Sequence, residues 1–292
     1  MKVGTCTTSY LYNTYAKPQK STIKPKSENA CSDTVCFTSN FVVKILEPKL
    51  IKELPPIKTS EEYSKLLEKI KSIKAINGER FWEYDSEPLC YKGVNSEYIG
   101  LLPYCDGQDV SYYINRYLGG ILPFDLKCRA SEENICDLIR ALDYSLARLD
   151  EEFGGYNGIV YRSGFFSPNS KQYASTSINP KFAAEVGGVF VMSSEYSVIL
   201  AKNAHKIYDF QKMAKSPYAQ KEKEILIGKN EISLYKQVLP EQHDKRIIRA
   251  IDKFATCIYN HSMYSPVNKL FPNRQIFSKD TIMKKIKVYS QD

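Results

Sequence analysis

Three short segments carry polar groups that could do chemistry. Arg162 closes the apolar run Gly158-Ile159-Val160-Tyr161. That run should be half buried, so the guanidinium needs acceptors or water there. Its planar fork of donors also suits a diphosphate. Ser175-Thr176-Ser177 lies on the next β-like run, and Glu222-Lys223-Glu224 enters a later one. Two residues apart on a strand, Glu222 and Glu224 would share a face, and their carboxylates would repel. Such a pair tends to be kept where at least one member is needed for function. Taken singly each segment is commonplace: a strand-end arginine, a hydroxyl-rich strand edge, a charged turn.

Several other chemistries find no support. Neither G-x-G-x-x-G nor G-x-x-x-x-G-K-[ST] occurs, which disfavours a Rossmann or P-loop nucleotide site, and there is no G-x-S-x-G elbow. The eight cysteines (6, 31, 36, 90, 105, 128, 136 and 257) contain no C-x-x-C, and His205, His243 and His261 show no metal-ligand spacing. No metal is expected. Scattered thiols in a chain long enough to fold without disulfides point to a reducing compartment.

The elements that must position these groups can be read from periodicity. Residues 1–40 are rich in Ser, Thr, Lys and Asn, and 1–58 reads as a disordered basic leader, although Phe41–Leu46 is apolar and β-branched. Thr59 and Glu62 form a capping box before the stripe Tyr63, Leu66, Leu67, Ile70, Ile73. Helices are predicted over Val110–Leu118 and over about Ser131–Phe153, the latter with Ile135, Leu138, Ile139, Leu142, Leu146 and Leu149 on one side and Gly154-Gly155 as its stop. Strands are predicted at Gly158–Tyr161, Tyr173–Ser177, Gly188–Met192, Ser197–Leu200 and Glu224–Ile227. A helical pattern returns from Glu241 to about His261, and the last thirty residues read as basic and irregular. Helices first and strands later imply an α+β fold.

The three polar segments acquire meaning together. Tyr161-Arg162-Ser163-Gly164, then Ser175-Thr176-Ser177, then Glu222-Lys223-Glu224-Ile225-Leu226 resemble the R–S–E signature of the mono-ADP-ribosyltransferases, in the arginine-modifying toxin and effector branch. Thirteen residues separate Arg162 from Ser175, and about 48 separate the serine run from Glu224. The helix with Asn115 before Leu118, and the long helix just upstream of Arg162, resemble the family's context; so does Tyr218 ahead of the paired glutamates. The resemblance covers about residues 95–240. Ser163 stands where the family more often has glycine.

The resemblance implies an ADP-ribosyltransferase-like fold in which two small antiparallel sheets form an NAD cleft, helices lying N-terminal to them. It implies a transferase domain over 59–240 and a helical basic extension over 241–292. NAD+ would be the substrate. Arg162 would anchor the diphosphate, and Glu224 would stabilise the cationic ribose, held by Ser175. Ser163, Thr176, Ser177, Asn115 and Phe182 would contribute to the NAD site. Glu222 would orient an incoming guanidinium and take its proton, with Tyr218 touching the target, so the acceptor would be an arginine of a target protein. The same site could serve an NAD+ glycohydrolase toxin, a nucleic-acid ADP-ribosyltransferase, or a fold relic used for binding.

Charge bears on these alternatives. Of the net +8, residues 1–58 carry +5 and 241–292 carry +5, leaving 59–240 at about −2. A core that grips nucleic acid should be basic, and Glu rather than Gln at 222 also counts against that partner. No apolar run reaches the ~18 residues of a membrane-spanning helix. The N-terminus reads as lacking a classical signal peptide, which suits a bacterial effector delivered into the host cytosol, with a secretion chaperone or host factor as a further partner.

Overall fold

The computed structural model describes residues 54–72, 95–105, 110–120, 131–164, 166–187, 195–216, 219–264 and 276–291. All of them belong to one compact unit, Pro48–Asp292. Residues 1–53 of the leader expected over 1–58, Ile73 of the first stripe, the expected strand at Gly188–Met192 and Tyr218 lie outside the described residues, whereas 54–58 are described, with Leu54 and Ile57 packed against the helical core.

The helical stripes form as their spacing predicts. Helix α1 (Ser60–Lys71) begins at Thr59, whose side chain accepts from Glu62 N, and it buries Tyr63, Leu66, Leu67 and Ile70. A 3-10 segment (Ser96–Leu101) leads into α2 (Leu102–Cys105), followed by α3 (Val110–Leu118). Helix α4 (Glu132–Phe153) is capped by Ser131 and ended by Gly154 at φ 69°, a left-handed position that favours glycine. Its six stripe residues are buried in a helical core with α1, the 3-10 segment and α3.

The strands follow: β1 (Tyr156–Ser163), β2 (Ala174–Ser177), β3 (Tyr196–Ala204), β4 (Glu224–Ile227), β5 (Tyr235–Gln237) and β6 (Ile286–Gln291). Short helices α5 (Pro180–Gly187), α6 (Ile207–Met213) and α7 (Ala219–Glu222) lie between them, and α8 (Lys245–Tyr264) and α9 (Lys279–Lys285) precede β6. The fold is therefore α+β. Its strands form one six-stranded mixed sheet in the order β4-β2-β1-β3-β6-β5, rather than the two small antiparallel sheets expected. The joining element is β6, which pairs parallel to β3 and antiparallel to β5. The tail read as irregular thus contributes a strand to the sheet interior. Only six residues long and interrupted by Lys287, it offers little alternation to read.

Alternation along β3 divides the core. Tyr196 and Val198 pack with Phe254, Ile251 and Ile247 of α8, whereas Ile199 and Ala201 pack with Val160, Ile225, Ile227, Phe166 and Tyr289. Leu226 of β4, with Ile207 and Phe210 of α6, joins the helical core. The β4–β2–β1 end of the sheet is thereby tied to the helices.

Candidate active site

Strands β1, β2 and β4 lie side by side, and their register brings the polar segments together. Ser177 is the cross-strand partner of Glu224, Ser175 that of Leu226, and Tyr161 of β1 pairs with Ser177. The Ser175 hydroxyl donates to Glu224 Oε1. Arg162 Nη1 donates to the Ser175 carbonyl oxygen. One serine therefore joins the arginine strand through its backbone and the glutamate strand through its side chain.

The two carboxylates meet by a different route from the one expected. Glu222 is not on β4 but ends α7, and Glu224 opens the strand. Between them Lys223 sits at φ 45°, left-handed backbone that a side-chain-bearing residue adopts at a cost of about 1–2 kcal/mol. This kink, not strand alternation, sets the pair. Gln211 of α6 completes the contact, its Nε2 lying 3.3 Å from Glu222 Oε2 and 3.4 Å from Glu224 Oε2.

Electrostatics follow from burial. Glu224 is pushed up to about 7, mainly by desolvation; the Ser175 hydrogen bond opposes the rise and the nearby Glu222 adds to it. Glu222 is raised too, again chiefly by desolvation, with Gln211 and Lys221 pulling the other way. Desolvation lowers Arg162, and the Tyr104 hydroxyl opposes that; an arginine so placed remains a cation. Tyr104 itself is buried, its ring edge-on to Tyr173 at 5.6 Å, and desolvation with the Glu224 charge pushes its pKa up, so the hydroxyl stays neutral.

The serine run does two jobs. Thr176 Oγ1 donates 2.7 Å to the Ile225 carbonyl, locking β2 to β4. Ser177 Oγ donates to the Glu222 carbonyl and accepts from Asn179 N at 2.9 Å. Asn179 Nδ2 in turn reaches Lys221 O at 2.8 Å. These hydroxyls hold the turn that carries Glu222.

The remaining expected residues surround this centre. Asn115 Oδ1 accepts from Tyr173 N at 2.9 Å and its Nδ2 points to the Tyr104 hydroxyl at 3.4 Å, so it pins the entry to β2. Ser163 Oγ donates 2.5 Å to the Ala183 carbonyl, fastening α5 to β1. Phe182 of α5 is half-buried under the Lys221 ammonium, which lies 5.9 Å from the ring centroid and 3.0 Å from Glu185.

Sequence reading missed Gln211 and Tyr104. Neither falls in a recognisable motif, and both reach the site through packing of helices that precede β4. The only available signal for Gln211 was its place among the buried Ile207 and Phe210 of α6. A separate cleft of about 750 Å³, lined in part by Ile57, Leu118, Arg140, Asp143 and Lys229, contains none of the site residues. Among the described residues no group of three or more His, Cys, Asp or Glu could hold a metal ion, and no helix is long and apolar enough to cross a membrane. Comparison with protein-family models, with curated proteins and with solved structures finds no match.

Proposed function

We propose that this chain is an arginine-specific mono-ADP-ribosyltransferase of ADP-ribosyltransferase-like fold, with NAD+ as its substrate and the β1–β2–β4 end of the sheet as the floor of its NAD cleft. One observation carries the reading: the Ser175 side chain holds Glu224 while its carbonyl holds Arg162, so the three signature residues form a single hydrogen-bonded unit.

Splitting the nicotinamide–ribose bond is glycoside chemistry with an oxocarbenium-like transition state. The bond between ribose C1′ and the pyridine nitrogen breaks, its electron pair leaves with nicotinamide, and positive charge grows on the ribose. Arg162 supplies the cation for the diphosphate. Ionised Glu224 accepts from the ribose 2′-hydroxyl and faces the growing charge. Glu222, beside it at the end of α7, accepts hydrogen bonds from the target guanidinium and takes its proton as the new C1′–N bond forms. Neutral nicotinamide and an ADP-ribosylated arginine result. The near-neutral core and the glutamate at 222 favour a protein acceptor over nucleic acid. A bacterial effector acting in the host cytosol is the setting in which this activity fits the reduced thiols.

The test separates the two glutamates. In Glu224→Ala, nicotinamide release and transfer to an arginine analogue such as agmatine should both fall by at least about a hundredfold, the scale of losing one transition-state charge contact. In Glu222→Ala, hydrolysis should persist while transfer falls to background. Equal loss of both activities in Glu222→Ala would refute this division. A wild-type chain that hydrolyses NAD+ but never labels an acceptor would make it a glycohydrolase.

A further inference from the structure

We infer that Gln211 is the positioning residue of this site: its single amide group holds Glu222 and Glu224 in place and ionised, and so sets the pH range in which the pair works. The inference deepens the transferase reading and depends on it for its catalytic meaning.

Gln211 is 3% exposed and sits on α6 between residues of the helical core. Its Nε2 has two hydrogens, one for each carboxylate. Its Oε1 is buried without a partner. A buried unmet acceptor is costly, and turning the amide over would point that oxygen at two carboxylates instead. The carboxylates therefore fix the orientation of the amide, and the amide in turn ties together the strand start and the helix end. Left alone, two half-buried carboxylates this close share a proton. Among the described residues, the other groups facing the pair are the Ser175 hydroxyl on Glu224, Lys221 beside Glu222, and Tyr104, which feels both Glu224 and Arg162. Gln211 reaches both members.

Two substitutions in the full chain test this. Gln211→Met keeps length and volume but removes both donors; Gln211→Glu keeps shape and adds a third carboxylate. Carboxyl ¹³C NMR of glutamate-labelled protein, assigned with Glu222→Gln and Glu224→Gln, follows the pair directly. The pH profile of nicotinamide release from NAD+ is recorded alongside. In Gln211→Met the higher midpoint should rise by about one pH unit, equivalent to a tenfold change in protonation. The acid limb of kcat should move with it, giving about tenfold lower activity at pH 6.5, recovery at pH 9, and little change in KM for NAD+. Gln211→Glu should move both further. Should the methionine variant fail to fold, the glutamate variant carries the test. Unchanged midpoints in folded variants, or a uniform loss of kcat with an unmoved profile, would overturn the inference. Shifted midpoints where the wild type itself releases no nicotinamide at any pH would uphold the positioning role and refute the transferase reading instead.

Discussion

At the scale of the residue, Glu224 is where stability and the proposed activity meet. Its carboxyl is raised from the ordinary 4.5 to about 7, chiefly by burial. Between those values the folded chain binds more protons than the unfolded one, so this group's contribution is fully present below pH 4.5 and is lost as pH rises through 7. Replacing the charge should therefore relieve the fold. Glu224→Gln should stabilise by roughly 1–3 kcal/mol at pH 8, read as a higher Tm, with the gain vanishing below pH 4.5. Activity should have the opposite trend, with kcat rising through about pH 7 as the carboxylate ionises. A Tm difference that does not depend on pH would contradict both expectations. Under the proposed transferase reading NAD+ should raise the Tm of the wild type, and Arg162→Ala should mainly raise KM for NAD+ and remove that stabilisation. That Arg162, Ser175 and Glu224 meet could be expected from the sequence because each sits on a short apolar run that reads as a strand. Gln211 could not be expected there, because it joins the site from a helix whose docking depends on Phe210 and Ile207 burying against the helical core.

At the scale of the element, the α7–Lys223–β4 junction decides where Glu222 points. The left-handed φ of Lys223 makes a clear prediction. Lys223→Gly, which adopts that conformation without steric cost, should be neutral or stabilising by up to about 1 kcal/mol and should keep transfer activity. Lys223→Val should cost about 1–2 kcal/mol and depress transfer to agmatine more than NAD+ hydrolysis, since it swings Glu222 and spares Glu224. Chemical denaturation and paired transfer and hydrolysis assays read both effects. The sequence suggested a strand carrying both glutamates, because a two-residue spacing implies one strand face. It could not reveal that Ser177 and Asn179 bond to the preceding backbone and end the helix there. Helices α1, α4 and α8 were readable from stripes and caps. Strands β5 and β6 were not, being three and six residues long and interrupted by lysines.

At the scale of the whole molecule, the chain's end completes the sheet on which the site rests. Strand β6 pairs with β3, which pairs with β1, the strand bearing Arg162. Ile286, Val288 and Tyr289 are buried there. Losing three such side chains costs about 1.5–3 kcal/mol each, comparable with the total stability of a domain, about 5–15 kcal/mol. Truncation after Lys285 should therefore abolish cooperative unfolding in circular dichroism; a truncated chain that melts like the wild type would show β6 to be dispensable. The basic stretch after residue 240, with +5 of the net charge, is thus part of the folded unit through β6 and α8. Release of nicotinamide from labelled NAD+ by the purified chain in the presence of agmatine, with Glu224→Ala in parallel, tests the proposed transferase activity directly. The wild type should release nicotinamide and label agmatine, and both signals should be lost in the folded variant. Folded wild-type protein that neither releases nicotinamide nor labels agmatine would contradict the transferase reading.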